Sequence, residues 1–267
     1  MKKVLLGLGA TGITLALIPM FAAFEAHVVN VTARIENALT VPVTPINFGT
    51  VFPQEQLAQT LPIALSRSFL DEPRVDDVRY IIRQKPKCGV TSNDGTVLDG
   101  PTWTGHVVVT PVLDAAGATV GYTSSVDCEQ DKPKDLQLGQ GQTAGLLPSL
   151  CEYISKHPDN QPVNDGSLNS FHKPYTINQQ TGAIVWTDVA GYLAQSAQDI
   201  LDVWTIDLKV PCFGGYCAQD WADFVHGINP DANPAEYTQP ISNEHKVFGC
   251  NLWVEVRSVS ESEASPE

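Results

Sequence analysis

Short segments in which apolar and polar residues alternate recur along this chain of 267 residues. In the segment DVWTIDLKV, Trp204, Ile206 and Leu208 fall on one face and Thr205 and Asp207 on the other. Alternation with a period of two is typical of a β-strand that buries one face. About ten segments have strand character, helical segments are short, and no strand-helix-strand rhythm is present. We therefore predict an all-β fold, an antiparallel β-sandwich or jelly roll with short helical insertions.

The most N-terminal alternating segment is VVNVTARI, residues Val28–Ile35. Its apolar face carries Val29, Val31, Ala33 and Ile35. The segment is rich in β-branched residues, which favour extended backbone. We predict that it forms a half-buried strand.

Residues 1–26 have the organisation of a secretory signal peptide. Lys2 and Lys3 precede the apolar run VLLGLGATGITLALIPMFAAF. An uncleaved membrane anchor is the alternative, because the run approaches the roughly 20 residues that span a bilayer. Glycines and a proline within the run disfavour a permanent helix. We expect cleavage after Ala26 and no stable membrane insertion afterwards.

We expect the exported chain to form one domain. That domain, a jelly-roll-like β-sandwich, spans residues 27–257. Residues 127–172 are rich in Gln, Asp, Lys, Pro and Gly, and we interpret them as a long loop excursion out of the sheet. Residues 258–267, SVSESEASPE, have the composition of an acidic disordered tail.

Two segments have apolar residues at helical spacing. In DVAGYLAQSAQDIL the apolar positions lie three or four residues apart, and they are Val189, Leu193, Ala197 and Ile200. The segment AQDWADFVHGI has a similar pattern. Spacing of three and four indicates an amphipathic helix, and we predict one helix in each segment.

Six cysteines occur, all of them after the signal peptide. An even number of cysteines in an exported chain suggests three disulfides. The two glycines in CFGGYC permit a tight reversal between one pair, a second bridge would close the polar segment, and a third would join an early strand to the last one. The expected pairs are Cys212–Cys217, Cys128–Cys151 and Cys88–Cys250.

The formal net charge is −14. Such acidity disfavours nucleic acids and anionic membrane surfaces as partners. The acidity suits a protein that binds calcium or cationic polymers. Two groups of residues could supply oxygen ligands to calcium, and they are Asp220, Asp223 and Asp231, and Asp159, Asn164 and Asp165. Neither group follows the spacing of a calcium-binding loop. We expect them to be ordinary solvated side chains, with calcium as the alternative and no other cofactor.

No catalytic motif stands out. The histidines do not form H-E-x-x-H, and G-x-S-x-G is absent. Paired cysteines leave no free thiol to act as a nucleophile. We therefore expect no catalytic or metal-binding residues and a protein that is not an enzyme. Paired carboxylates of the glycosidase type have no sequence signature, so a secreted hydrolase stays an alternative.

Two phrases follow the first alternating segment, I-x-F-G-x-V-F-P-x-E and then L-x-I-x-L-S-x-S-F. Their residues are Ile46, Phe48, Gly49, Val51, Phe52, Pro53 and Glu55, and then Leu61, Ile63, Leu65, Ser66, Ser68 and Phe69. With the signal peptide and the strand before them, these phrases resemble the TasA/camelysin family of exported proteins, which includes related archaeal bundling pilins.

The resemblance implies a jelly-roll subunit of extracellular or cell-surface fibres, or of a biofilm matrix. The N-terminal strand, with Val29, Val31, Ala33 and Ile35 on its apolar face, would be inserted into the next subunit. The partner would be another copy of the chain or a related surface protein. A donated strand completes an open sheet through main-chain hydrogen bonds and side-chain pockets. Besides a secreted hydrolase, a monomeric surface module that binds glycans or calcium stays open.

Overall fold

The computed structural model describes residues 34–42, 44–159 and 165–261. The chain divides into two units after Ile35, and the second unit, Glu36–Glu267, contains every element given below. Antiparallel strands dominate the described residues, and the helices among them are short. The predicted all-β sandwich with short helical insertions is therefore confirmed.

The strands of the described residues are β1 (Leu39–Thr40), β2 (Gln56–Leu65), β3 (Val75–Lys85), β4 (Lys87–Ser92), β5 (Leu98–Thr104), β6 (His106–Leu113), β7 (Thr119–Asp127), β8 (Gln142–Leu146), β9 (Ile154–His157), β10 (Tyr175–Ile177), β11 (Ile184–Trp186), β12 (Val189–Ala194), β13 (Leu201–Lys209) and β14 (Asn251–Glu261). The α-helices of the same residues are α1 (Arg67–Leu70) and α2 (Trp221–Ile228). Their 3₁₀ helices are Cys151–Tyr153, Pro234–Tyr237 and Ile241–Asn243.

Two sheets share the main core. One has the strand order β1-β2-β13-β9, and the other has the order β12-β3-β14. Trp204, Ile206 and Leu208 of β13 are buried on the face that alternation predicts. Val78 and Ile82 of β3 are fully buried in the same cluster. Burying a large apolar side chain contributes about 1.5–3 kcal/mol, so these two strands anchor the sandwich.

A smaller sheet and two hairpins complete the described fold. The sheet has the order β5-β4-β8, and the hairpins are β6-β7 and β10-β11. Cys88, Val90 and Trp103 form a second, smaller apolar cluster on this sheet. The Trp103 indole donates a hydrogen bond of 2.6 Å to the Cys128 carbonyl, which fixes the end of β7 to β5.

The interpretation of residues 127–172 as an excursion out of the sheet is wrong for two parts of that segment. Residues 142–146 form β8, which pairs with β4. Residues 154–157 form β9, which pairs with β13. The sequence does not reveal these strands, because the segment is polar and each strand is short. Their partners in the sheet also come from distant parts of the chain.

The helix predicted over residues 188–201 is also wrong, whereas the second predicted helix is α2. Residues 189–194 form β12, paired antiparallel with β3. Val189, Gly191 and Leu193 are buried in alternation, so the same residues fit both periods. The partner strand decides between them, because β3 offers an edge along all six residues of β12.

Three disulfides form among the described residues, and they are Cys88–Cys128, Cys151–Cys250 and Cys212–Cys217. The expected bridge between Cys212 and Cys217 is confirmed. Gly215 between them adopts a φ of +87°, a left-handed conformation that glycine enters without strain. The chain can therefore reverse within this short loop.

The two longer pairings expected from the sequence are wrong, and these were Cys128–Cys151 and Cys88–Cys250. The hydrogen bond from Trp103 places the residue after β7 beside β4, where the first cysteine lies. A parallel bridge between Ser149 and Gly249 brings the remaining two cysteines together. Both pairings depend on strand neighbours that cysteine spacing does not reveal.

Candidate functional site

One edge of β2 is open. One side of this strand pairs with β13 over residues 56–64. The other side pairs with β1 only at Ala64 and Leu65. Among the described residues, no strand pairs with this second side along residues 56–63. An unpaired edge of this kind is a template for another strand.

The hydrogen-bond pattern of an antiparallel pair decides which backbone groups face the open edge. Leu65 donates its N–H to the Ile200 carbonyl over 3.0 Å on the β13 side. Odd-numbered residues of β2 therefore turn their backbone groups towards β13, and even-numbered residues turn theirs away. The residues that present both N–H and C=O to the open edge are Gln56, Ala58 and Thr60. Pro62 presents only a carbonyl, as proline at an edge does.

The described residues before β1 leave this edge free. The Ser66 N–H donates to the Ala38 carbonyl over 2.8 Å, and the Ser66 hydroxyl donates to the Asn37 carbonyl over 2.5 Å. Both contacts lie beyond the Leu65 end of β2. The described residues that precede β1 therefore approach it beyond the end of β2 and do not run along residues 56–63.

Apolar side chains lie between β1 and β2. Ile46, Phe48 and Val51 are half-buried against the main core. Phe52 is 64% exposed and lies four residues before β2. An exposed aromatic side chain near an unpaired strand is a suitable contact for a partner.

A second candidate site is a cleft of about 730 Å³ beside β4 and the turn that follows it. The Val247 N–H donates to the Gly95 carbonyl over 2.9 Å, so the segment before β14 is held against that turn. The disulfide partner Cys151 also lines the cleft, which makes its floor rigid. The charged residues of the lining are Lys87, Asp94, Glu152, Lys173 and Lys246.

Burial is the main cause of the pKa shifts of two charged groups of the cleft. Burial raises the pKa of the Glu152 carboxyl to about 7, and a hydrogen bond from Ser149 offsets part of that effect. Burial lowers the pKa of the Lys87 ammonium, and no described residue is hydrogen-bonded or ion-paired to it. Titratable groups perturbed by burial within a cleft are typical of binding and catalytic sites.

Four aspartates form a buried acidic cluster near the start of β13. Each has one carboxylate oxygen that is buried and without a hydrogen-bond partner among the described residues, and they are Asp159, Asp165, Asp199 and Asp202. Their other contacts come from separate elements. Tyr192 donates its N–H to Asp165 over 2.7 Å, and Val203 donates its N–H to Asp159 over 3.1 Å. The Tyr80 hydroxyl donates to Asp202.

Mutual repulsion and burial keep protons on this cluster. Burial is the largest of the causes that raise the pKa of Asp202 to about 8; the charges of the other three aspartates act in the same direction, and the hydrogen bond from Tyr80 opposes them. Burial also raises the pKa of Asp165 to about 6, although the hydrogen bond from the Tyr192 N–H opposes this change. Carboxyl groups that repel one another in a buried site cannot all ionise. Asp202 therefore keeps its proton at neutral pH.

Most of the predicted donor strand lies outside the described residues, and this part includes Val29, Val31 and Ala33. Ile35 is described, belongs to no strand and is 93% exposed. The first strand of the described chain begins only at Leu39. Strand formation by Val28–Ile35 therefore stays a prediction.

Neither candidate calcium group is assembled within the described ranges. Asp220 precedes α2 and accepts a hydrogen bond of 3.3 Å from Gln54, whereas Asn164 lies outside the described residues. In the part of the chain that the structure describes, no three His, Cys, Asp or Glu side chains are arranged to hold a metal ion. The expectation of ordinary solvated side chains is wrong for Asp159 and Asp165, each of which has a buried carboxylate oxygen, and calcium binding stays an untested alternative.

Sequence reasoning missed Asp199, Asp202, Lys87 and Glu152. One of them had a signal in the sequence. Asp202 lies two residues before Trp204 on the same strand, so the alternation places its carboxylate on the face of the strand that is buried. A charged residue on the buried face of an alternating strand indicates a buried polar site.

No helix of the described residues is long and apolar enough to cross a membrane. Comparison with protein-family models, curated proteins and solved structures gives no match to this chain.

Proposed function

We propose that this protein is a secreted subunit of extracellular or cell-surface fibres that assemble by donation of the N-terminal strand. The open edge of β2 carries this proposal. Its residues 56–63 have the same length as the alternating segment Val28–Ile35. The occupant of the edge is this segment from a second copy of the chain.

The proposed contact combines backbone and side-chain terms. The donated strand would pair with the outward backbone groups of Gln56, Ala58 and Thr60, each bond adding about 1 kcal/mol. Its apolar face would extend the buried face of the β1-β2-β13-β9 sheet. The exposed side chain of Ile35 supports this geometry, because the described structure provides no burial for an apolar residue of the donor segment.

Secretion is the second part of the proposal. The three disulfides of the described chain fit an oxidising compartment. The N-terminal sequence has the charged and apolar regions of a signal peptide. A stable fibre outside the cell would also benefit from bridges that resist unfolding.

A proline substitution on the open edge tests the proposal. Thr60→Pro removes an N–H that has no strand partner among the described residues, and Pro62 shows that β2 accepts proline at an outward position. Gln59→Pro would instead remove an N–H that faces β13, at a cost of about 3 kcal/mol. We expect Thr60→Pro to fold with little loss of stability and to lose assembly, while Thr60→Ala assembles normally.

The assay is negative-stain electron microscopy with size-exclusion chromatography, on chains that begin at His27. A chain lacking residues 27–37 should stay monomeric, and a chain lacking residues 262–267 should assemble as the parent does. Filaments formed equally by the parent and Thr60→Pro would contradict pairing at this edge. A parent chain that remains monomeric would contradict the homotypic fibre.

A further inference from the structure

The cleft beside β4 concentrates positive charge on an acidic protein. Three lysines and two acids line it, although the whole chain has a net charge of −14. One of the acids, Asp94, is engaged within its own turn, where Ser92 and Thr96 donate to its carboxylate over 2.5 and 2.9 Å. These hydrogen bonds lower the pKa of Asp94 to about 2, so its carboxylate stays ionised but is held within its own turn. An anionic ligand would therefore be attracted by the lysines of the cleft that lack a carboxylate partner.

Among the described residues, two of the lysines have ammonium groups without an ionic partner. Lys87 is half-buried and has no hydrogen-bond or ionic partner there. Lys246 is also half-buried, and in this part of the chain its ammonium donates to the amide oxygen of Asn243 over 3.4 Å. Lys173, by contrast, is paired with Glu236 over 2.8 Å. A partly desolvated ammonium without a counter-charge is costly, and a ligand carboxylate would offset that cost.

The rest of the lining suits a ligand rich in hydroxyl groups. Hydroxyl and amide side chains, which both donate and accept hydrogen bonds, occur on several sides of the cleft. They are Thr91, Asn93, Thr143, Ser149 and Asn243. Tyr175 adds a half-buried aromatic ring. The side chains of an acidic peptide only accept hydrogen bonds and its backbone offers one N–H per residue, whereas each sugar ring carries several hydroxyl groups that both donate and accept, so a saccharide can pair with more of these groups.

We propose that this cleft binds a carboxylate-bearing saccharide, with Lys87 and Lys246 on the carboxylate and Glu152 on a hydroxyl. The cleft volume lies in the range of small-ligand sites, about 300–1,000 Å³. In its protonated form the Glu152 carboxyl donates a hydrogen bond to the ligand. In its ionised form it repels the ligand carboxylate, so binding weakens as Glu152 loses its proton.

The probe is trigalacturonic acid, and its fully methyl-esterified form is the neutral control. Binding is measured by calorimetric titration on the Thr60→Pro chain, so the result does not depend on fibre assembly. We expect the acid to bind and the ester to bind at least about tenfold more weakly, which corresponds to 1.4 kcal/mol. Affinity should fall as the pH rises from 6 to 8.5, because the pKa of Glu152 is about 7.

Lys87→Met keeps the apolar stem and removes the charge. It should weaken binding of the acid by about tenfold or more. Lys209→Met is the matched control, because Lys209 lies on β13 and donates to Gln56 outside the cleft. Thermal unfolding of both variants verifies the fold.

Four results would overturn the proposal. The first is equal affinity for the acid and its ester, and the second is unchanged binding after Lys87→Met in a folded chain. The third is no binding of the acid by the folded Thr60→Pro chain, and the fourth is tighter binding of a polyglutamate peptide of the same charge. Each of these results leaves the assembly of the parent chain, and so the proposed function, unaffected.

Discussion

Substituting Asp202 by asparagine should stabilise the protein, and the gain should grow with pH. Asparagine has almost the same shape, its carbonyl can accept from Tyr80 as the carboxylate does, and its amide can donate to Asp165. The substitution therefore keeps the contacts of the cluster and removes one buried acid. An acid kept protonated by burial is replaced by a side chain that needs no proton.

The raised pKa of Asp202 determines whether its contribution to the free energy of unfolding rises or falls with pH. Folded Asp202, with a pKa of about 8, holds its proton at neutral pH, whereas the unfolded chain releases it near the ordinary aspartate pKa of 3.8. The folded state thus binds more protons in this window, so the contribution of Asp202 to stability is present below the unfolded value and is lost as the pH rises. One proton changes the free energy of unfolding by about 1.4 kcal/mol per pH unit.

We expect Asp202→Asn to gain roughly 2 kcal/mol more over the parent at pH 7 than at pH 5. Urea unfolding followed by tryptophan fluorescence measures this difference, because Trp204 donates to Tyr80 beside the cluster. Other titrating groups, such as Lys156 and His172, are common to both chains and cancel. Tyr80→Phe is a control without a change of charge, and it should lose stability at both pH values.

An equal effect of Asp202→Asn at the two pH values would refute the claim that folded Asp202 keeps its proton. A loss of stability at pH 7 would do the same. The parent should also be insensitive to millimolar calcium at pH 7. Stabilisation of the parent but not of Asp202→Asn by calcium would show that a cation, and not a proton, neutralises the cluster.

Two further substitutions test the account of the core. Lys156 is fully buried without a partner for its ammonium among the described residues, and burial lowers its pKa to about 7. Lys156→Met should raise the free energy of unfolding by about 1–3 kcal/mol below pH 7, with a gain that shrinks towards pH 10.5; urea unfolding that shows a loss at pH 6 would contradict this. A Cβ on Gly191 would lie 2.2 Å from the Tyr80 ring, so Gly191→Ala should cost about 3 kcal/mol. Gly145→Ala, with no atom within 4 Å of its added Cβ, should be nearly neutral in the same urea unfolding assay, and equal effects of the two substitutions would refute the packing argument.

The strands that bury one face could be predicted from the sequence, because the alternation of apolar and polar residues is the same whichever strands pair with them. Trp204, Ile206 and Leu208 alternate with half-exposed residues whatever strands lie beside β13. β12 shows the limit of this reasoning. Val189 and Leu193 fit a helix and a strand equally well, and the contact of Gly191 with Tyr80 selects the strand.

Disulfides between cysteines that are close in the sequence could be predicted, whereas those between distant cysteines could not. The bridge between Cys212 and Cys217 closes a loop with a separation of 5 residues, so local geometry determines it. Cys151 and Cys250 are 99 residues apart. Their pairing needs the bridge between Ser149 and the segment before β14, which no local pattern encodes.

The candidate sites could not be predicted from the sequence either, because they also depend on contacts between distant segments. The open edge of β2 is defined by the short length of β1 and by the position of β13, both of which are tertiary facts. The cleft collects Lys87, Glu152 and Lys246 from three distant segments. The sequence could indicate the donor segment, because Val28–Ile35 has its own alternation, but not the surface that receives it.

Hydrogen exchange at the open edge tests the central claim most directly. Amide exchange of residues 56–63 is compared between filaments of the chain that begins at His27 and the chain that lacks residues 27–37. The account predicts that the amides of Gln56, Ala58 and Thr60 exchange much more slowly in the filament, because a donated strand accepts from them. Filaments in which these three amides exchange as fast as in the truncated chain would contradict it.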